Sequence, residues 1–449
     1  MPDKNDEQRS YDLFEVTIER ILPGGRGIAY ADGRTVMVTL AAPGDRLRVR
    51  FDRVKGSVAF ASIVEILEPS PQRVEPPCPY FGRCGGCDFQ QLNYRAQLDA
   101  KVEIIRDCLR RLGGIEDVPK FDITRAPNEW RYRARAQWQY DAIVKRLGYF
   151  EANSHRVCDV AECAVLTPEL QSQLERLRRE MTNEQLPEDA RYFRVIAGDE
   201  EVSVASSRGS SPTVREGPEA RDVKRTIHGA TYHLNAESFF QTNVDLLPQV
   251  IDAALSDAQG NSAIELYSGV GLFTVPLARR FKRVIAIEDD ADAAEFARQN
   301  VSHAGLENVE VVHEDVGDWL ENLECAGRAK RRSGSKPTQD TLDLPDEPED
   351  RRIIQSAVTT GALQIDFLLL DPPRTGAESR VISGIIKMKP QHISYVSCDP
   401  ATLARDLKKL IAGGYSIQSM SAFDMFPQTH HVETVVRLVV QQISHNCHD

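Results

Sequence analysis

Between Tyr11 and Glu68 apolar and polar residues alternate in short runs, FEVTIERI, GIAYADG, RTVMVTL, DRLRVRFDRV and VAFASIVEIL, with Gly-Gly, Asp-Gly and Pro-Gly between them. A period of two with turn residues at regular spacing predicts a small OB-like β-barrel over residues 8–68. The segment EPSPQRVEPPCPYFGRCGGCDFQQLNYRAQL is a proline-punctuated, cysteine-rich connection that runs into a helix from about Asn93 to Leu112. Strand-like WRYRARAQWQYD, RYFRVIAG and EVSVASS then alternate with a helical stretch around Pro168–Met181, which predicts a central α+β domain over residues 69–245. From about Leu246 the period changes. Strand and helix follow one another in SAIELYS, VGLFTVPLARR, RVIAIED, ADAAEFARQNVSHAG, VEVVHED, IDFLLLDPP and HISYVSCDP. Such alternation specifies a parallel sheet covered on both faces, an α/β domain over residues 246–449. Residues 327–352 are polar, proline-rich and split into a basic and an acidic block, so they are expected to be a disordered insertion.

With 449 residues and 41% hydrophobic content the chain is long enough for more than one core. The polar start MPDKNDEQRS and the lack of an apolar run of ~18 residues point to a cytoplasmic protein without signal peptide or membrane span. Thiols stay reduced in that compartment, so the nine cysteines suggest metal binding or catalysis over a disulfide framework. Three of them, Cys78, Cys84 and Cys87, fall within PPCPYFGRCGGCDF. The net charge of -12 is uneven, with 24 Lys and Arg against 21 Asp and Glu in residues 1–150 and 31 against 46 thereafter. A polyanion is therefore expected at the front of the chain. In WRYRARAQW an extended backbone would set Arg131, Arg133 and Arg135 on one face, where guanidiniums could follow a phosphate backbone.

In AIELYSGVGLFT an apolar strand ends in Glu265 and is followed by Gly269 and Gly271, which let the backbone approach a ligand at the carboxyl end of the first strand. A lone G-x-G also fits a plain tight turn. The second strand ends in Glu288, 23 residues on, where a carboxylate can accept from ribose hydroxyls, and the third is followed by Asp315. Thr274 stands where the dinucleotide motif has its last glycine, which disfavours NAD and leaves S-adenosylmethionine (SAM).

Two later strands carry the reactive candidates. Asp371 ends the apolar strand of DFLLLDPPRTG, and two prolines that cannot continue the ladder fix the exit of the chain. Cys398 ends the next strand, ahead of a helix DPATLARDLKKL whose amino end would favour a thiolate, although an inert buried cysteine is the plainer alternative. Glu433 follows two histidines in FDMFPQTHHVETVVRL and is the candidate base, with His430 and His431 as alternatives. These residue types suit methylation at carbon 5 of uracil. A soft thiolate adds to carbon 6, the resulting enolate attacks a sulfonium methyl group, and a base removes the carbon 5 proton so that the thiolate can leave.

Together ESFFQTN, ELYSGVGLFT, AIEDD, LLLDPPRTG, VSCDPATLARDL and HHVETVV, in that order, resemble the SAM-dependent RNA uracil-5-methyltransferases, the family of the bacterial 23S rRNA and tRNA 5-methyluridine enzymes. The resemblance covers nearly the whole chain, with a TRAM domain at the front and a Rossmann-like methyltransferase domain at the back. It implies Cys398 as nucleophile and Glu433 as base. It places Gln241, Tyr267, Glu288, Asp315 and Asp371 around SAM and the target base, and substitutes Leu272 for an asparagine that often touches the cofactor. It also implies a [4Fe-4S] cluster on Cys78, Cys84 and Cys87 with Cys163 as fourth ligand, Cys158 being the reserve and zinc the alternative metal. The expected partner is RNA, 23S rRNA ahead of tRNA, bound by a monomer with the uridine flipped out of its stack. Among rivals, a radical-SAM enzyme would space its cysteines C-x3-C-x2-C, not C-x5-C-x2-C. A cytosine-5-methyltransferase would carry a second cysteine in the Asp371 motif, and an amino-methyltransferase an aromatic residue at Arg374. A non-enzymatic RNA-binding protein would not need Cys398, Glu433 and Asp371 together.

Overall fold

The computed structural model describes residues 13–208, 220–323 and 365–441. The insertion expected at 327–352 lies outside the described residues, as do residues 8–12 of the expected front domain.

The front domain is a single six-stranded sheet in the order β1-β5-β6-β4-β3-β2, built from β1 (Leu13–Thr17), β2 (Arg20–Ile21), β3 (Gly27–Ala31), β4 (Arg34–Val38), β5 (Arg46–Lys55) and β6 (Val58–Glu68). The period-two pattern is realised literally. Leu47, Val49 and Phe51 of β5 point inward with Val16, Val36 and Val38, while Arg46 and Arg48 on the other face pair with Glu15, Glu65 and Glu68 in solvent. Exposed pairs of this kind add little stability, so burial of the inward row holds the domain together.

Helix α1 (Tyr94–Cys108) starts where Asn93 accepts from the Ala96 N–H, and buries Ala96, Ala100, Ile104 and Ile105. That face shares one core with Ile264, Leu266, Leu368 and Leu403 of the carboxyl-terminal domain. Strand β7 (Ile123–Thr124) likewise adds to the edge of the large sheet. Both lie in the segment expected as a separate central domain. The remainder of that segment has its own core: β8 (Arg135–Asp141), β9 (Arg146–Phe150), β10 (Val157–Asp159), α2 (Pro168–Thr182), β11 (Ala190–Ala197) and β12 (Val202–Arg208). Its antiparallel sheet runs β10-β9-β8-β11-β12, and Leu170, Leu174 and Leu177 of α2 pack on Trp138 and Phe193. The hairpin of β13 (Val223–Ile227) and β14 (Ala230–Leu234) packs with α3 (Leu247–Leu255) onto the last domain.

That domain is doubly wound. It comprises β15 (Gly260–Leu266), α4 (Thr274–Ala278), β16 (Phe281–Glu288), α5 (Ala291–His303), β17 (Val309–His313), β18 (Phe367–Leu370), α6 (Ser379–Met388), β19 (His392–Ser397), α7 (Pro400–Ala412), β20 (Tyr415–Phe423) and β21 (Glu433–Val440). The sheet order is β17-β16-β15-β18-β19-β21-β20-β7, with β15 to β19 parallel and β21 antiparallel to both neighbours. Strand order reverses between β15 and β18, so the crevice outside their carboxyl ends is where an open α/β sheet binds ligands. No helix of the described residues is long and apolar enough to cross a membrane.

Candidate active site and cysteine cavity

Four strand ends deliver the acids named from the sequence to this crevice. The turn after β15 places Tyr267, Gly269 and Gly271 at positive φ. A Cβ at Gly269 would meet nothing within 4 Å, so the turn leaves room for a ligand. The Gly269 N–H donates to Glu288 at 2.7 Å, which ties the turn to the end of β16. Burial pushes the Glu288 carboxyl up to about 7 and that of Glu265 up to about 8. Glu265 accepts from the Thr274 hydroxyl at 2.5 Å, while its second oxygen is buried without a partner. Thr274 thus serves the acid at the strand end. Asp315 sits at the start of the helical residues 316–323, where it accepts from the Asp318 N–H and from Arg380 at 2.8 Å. Leu272 is buried, and its carbonyl accepts from Tyr232.

Cys398, Asp371, Arg374 and Glu433 meet at the ends of β18, β19 and β21. Glu433 opens β21, is 2% exposed, and both of its carboxylate oxygens are buried without a partner. Burial, with Asp371 acting in the same direction, holds its carboxyl well above the usual carboxylate range, and Arg374 opposes the rise. Asp371 is pushed up to about 7 by burial and accepts from Gln241 at 3.4 Å. Cys398 is half-buried. Burial and the nearby Glu433 push its thiol up to about 12, against the pull of the Arg374 guanidinium. The helix end expected to favour a thiolate does not: Asp399 caps α7, accepting from the Ala401 and Thr402 N–H groups, and adds negative charge beside the sulfur. The cation available to a thiolate here is Arg374.

The two histidines stand in different surroundings. His430 is engaged by the Asp88 carboxylate through both its ring and its N–H. Loss of water contact and the neighbouring His430 hold the half-buried His431 imidazole down to about 2, with Arg374 and Lys101 acting in the same direction.

Away from this crevice, Cys78, Cys84, Cys87 and Cys163 line one enclosed, largely apolar cavity with Tyr80, Phe81, Tyr149 and Val160. Burial pushes the Cys84 and Cys87 thiols up to about 12 and raises Cys163. Cys158 does not line the cavity, and its sulfur accepts from Arg83 at 3.3 Å. Among the described residues all seven cysteines are free, and no group of three or more His, Cys, Asp or Glu stands in metal-holding geometry. The donor set of four thiols around one largely apolar cavity fits a thiolate-bound metal centre in chemistry.

The family model described as tRNA (Uracil-5-)-methyltransferase matches residues 221–331 and 349–441, and the TRAM domain model matches residues 12–64. The chain is 31% identical to the 23S rRNA (uracil(1939)-C(5))-methyltransferase RlmD of Pectobacterium atrosepticum, over 94% of this chain and 92% of that protein. The chain belongs to the RNA uracil-5-methyltransferase family. The corresponding enzyme of Alkalilimnicola ehrlichii is 30% identical over 94% of this chain and 95% of its own. The solved Pyrococcus abyssi tRNA (uracil-54, C5)-methyltransferase in complex with S-adenosyl-L-homocysteine superposes with a TM-score of 0.67 at 24% identity, over 94% of this chain and 100% of that one, which shows a shared fold.

In this uracil-5-methyltransferase one reading of the arginines needs correction. Strand β8 begins only at Arg135, and Arg131 has φ +56 in the preceding loop. Arg133 turns into the cysteine cavity, with its Nε buried and unpartnered. Arg135 is largely buried, and its guanidinium lies 5.2 Å from the Phe239 ring. The three therefore form no phosphate track. An open groove lies between the TRAM turn Gly24–Arg26 and Gln137, Gln139 and Phe150–His155. The methyltransferase residue that sequence reasoning passed over is Arg374, whose signal was its place directly after the two prolines of DPPR.

Proposed function

We propose that the enzyme forms 5-methyluridine in 23S rRNA through a covalent adduct between Cys398 and carbon 6 of the target uracil. The observation that carries this reading is the pairing of a thiol with a carboxyl group, Glu433, whose two oxygens are buried without a hydrogen-bond partner, in a crevice that also holds Asp371 and Arg374. A buried acid without partners is costly unless a substrate completes it.

In the proposed cycle the Cys398 thiol gives its proton to solvent, with Arg374 offsetting the charge, and the sulfur adds to carbon 6. S-adenosylmethionine, when bound, supplies the methyl group that carbon 5 takes up. Thiolate and carboxylate oppose each other's ionisation here, so consuming the thiolate charge by addition eases ionisation of Glu433. Glu433 then accepts the carbon 5 proton, and the carbon–sulfur bond breaks to return Cys398. One proton is released overall. Gln241, Tyr267, Glu288, Asp315 and Asp371 hold the cofactor and the target base, and the open turn at Gly269 leaves space for them to do so.

The four cavity thiols bind a [4Fe-4S] cluster in this reading, with Cys163 the fourth ligand because it faces the cavity and Cys158 does not. Ribosomal RNA is favoured over tRNA by the relatives of 31% and 30% identity, both named for 23S rRNA. The test offers the purified enzyme 23S rRNA and tRNA containing 5-fluorouridine, whose fluorine cannot leave as a proton does. A SAM-dependent, denaturation-resistant complex with 23S rRNA is expected. Capture of tRNA alone moves the substrate to tRNA, and capture of neither removes the covalent mechanism.

A further inference from the structure

Glu433 closes a hairpin: Phe423 of β20 pairs with Glu433 of β21, and residues 424–432 form the loop between them. Met425, Phe426 and Val432 pack in the cores of its own domain, while several of its hydrogen bonds come from segments near the front of the chain. Lys101 of α1 is fully buried against Asp424 and donates to the Phe426 carbonyl at 3.0 Å. The Tyr132 hydroxyl donates to the Pro427 carbonyl at 2.8 Å. Gln97 exchanges hydrogen bonds with Gln428, donating to its side chain and accepting from its backbone N–H, both at 2.9 Å. Gln428 has φ +68, a left-handed conformation a glutamine adopts only when its surroundings impose it. Its carbonyl accepts from the Asp88 and Phe89 N–H groups at 3.1 and 3.0 Å.

The last grip before Glu433 is Asp88. Its two oxygens take the His430 backbone N–H at 2.9 Å and the His430 ring Nδ1 at 2.5 Å. The TRAM turn closes over this pair, since a Cβ at Gly25 would stand 2.9 Å from Asp88 Oδ2 and 3.2 Å from His430 Nδ1. Three parts of the chain therefore meet at one carboxylate: the TRAM turn, the cysteine-rich loop that Asp88 directly follows, and the loop that ends in the base.

We propose that Asp88 is a positioning residue for the methylation: it holds the loop at His430 so that Glu433 reaches the carbon 5 proton of the adduct. The Glu433 backbone is paired with Phe423, but its carboxylate oxygens make no hydrogen bond, so the reach of that side chain follows the backbone delivered by the preceding loop, and a misplacement of about 1 Å can cost about 10²-fold in rate. The inference rests on Glu433 being the base. It also predicts a defect confined to one step. Addition of Cys398 and methyl transfer come first and do not use Glu433, so they should survive a shifted loop, whereas proton removal should not.

The experiment compares Asp88→Ala, Asp88→Asn and Glu433→Gln in the full-length enzyme, on ordinary uridine RNA and on 5-fluorouridine RNA. For Asp88→Ala the expected result is a kcat lower by about 10- to 100-fold with unchanged KM for RNA and SAM. A methylated enzyme–RNA adduct should accumulate on ordinary RNA, and 5-fluorouridine RNA should be captured at the parent rate. Asp88→Asn keeps an acceptor for the His430 N–H and should recover much of the turnover. Should Asp88→Ala fold poorly, His430→Ala, which removes the ring contact and leaves the cysteine loop intact, is expected to show the same accumulation. Parent turnover in Asp88→Ala, or a parallel fall of turnover and fluorouridine capture, overturns the inference. If Glu433→Gln accumulates adduct and neither Asp88→Ala nor His430→Ala does, the positioning role alone is lost. If Glu433→Gln accumulates none, the assignment of the base falls, and the positioning role with it.

Discussion

The molecule holds two sets of half-buried thiols that look alike until their neighbours are compared. Cys84 and Cys87 in the cavity and Cys398 in the crevice are all pushed up to about 12 by burial. Around the cavity stand Tyr80, Phe81, Tyr149 and Val160, with Arg133 and Glu162 as its charged residues. Around Cys398 stand Glu433, Asp371 and Arg374, groups that can take up or offset a proton during a reaction. A raised thiol therefore does not by itself mark a nucleophile. The two sets differ in what the sulfur faces: other thiols in the cavity, and a buried carboxyl without a hydrogen-bond partner in the crevice.

The comparison is broken most directly at Cys398. Replacement by Ala should abolish methylation, a loss on the order of 10⁴-fold or more, and should end capture of 5-fluorouridine RNA. Binding of SAM, followed by calorimetry, should remain. Glu433→Gln is next in size, with kcat falling by roughly 10² to 10⁴-fold. Its expected signature in a denaturing gel is a persistent enzyme–RNA band on ordinary RNA.

On the cavity side, Cys84→Ser and Cys163→Ser should each lose iron and visible absorption when the protein is purified without oxygen. Cys158→Ser should keep both, because that sulfur is turned to Arg83. Iron retained in Cys163→Ser and lost in Cys158→Ser would exchange their roles. The smallest expected effect concerns pH. Asp371 is raised to about 7 in the folded protein, above the ~3.9 of a free aspartate, so between those values the unfolded chain ionises it while the folded chain keeps the proton. The folded state therefore loses stability as pH rises through that window. Melting temperatures of Asp371→Asn and the parent should diverge in favour of the variant from about pH 4 to about pH 7, and run parallel above it.

Much of this is legible in the sequence. Alternation in FEVTIERI through VAFASIVEIL marked the front sheet, because facing a single core forces every second residue inward. Apolar runs ending in Glu265, Glu288, Asp371 and Cys398 marked the edge of the parallel sheet, because a buried strand can carry polar groups only where it exits. The arginines of WRYRARAQW misled, since Arg131 leaves the extended region and Arg133 is drawn toward the thiols. The amino end of α7 also misled, because Asp399, the residue next to Cys398, already satisfies it.

The order of strands and helices, the residues at strand ends and the class of chemistry are thus properties of the sequence, since each follows from local period and residue type. The electrostatics of those residues are not. Whether Glu433 has a partner, whether His430 is free, and which cation faces Cys398 depend on segments far apart in the chain, brought together only by folding. Asp88 and His430 lie 342 positions apart and bond directly. No local pattern encodes such a contact, because burial and charge at a site are sums over neighbours that only the packed tertiary structure supplies.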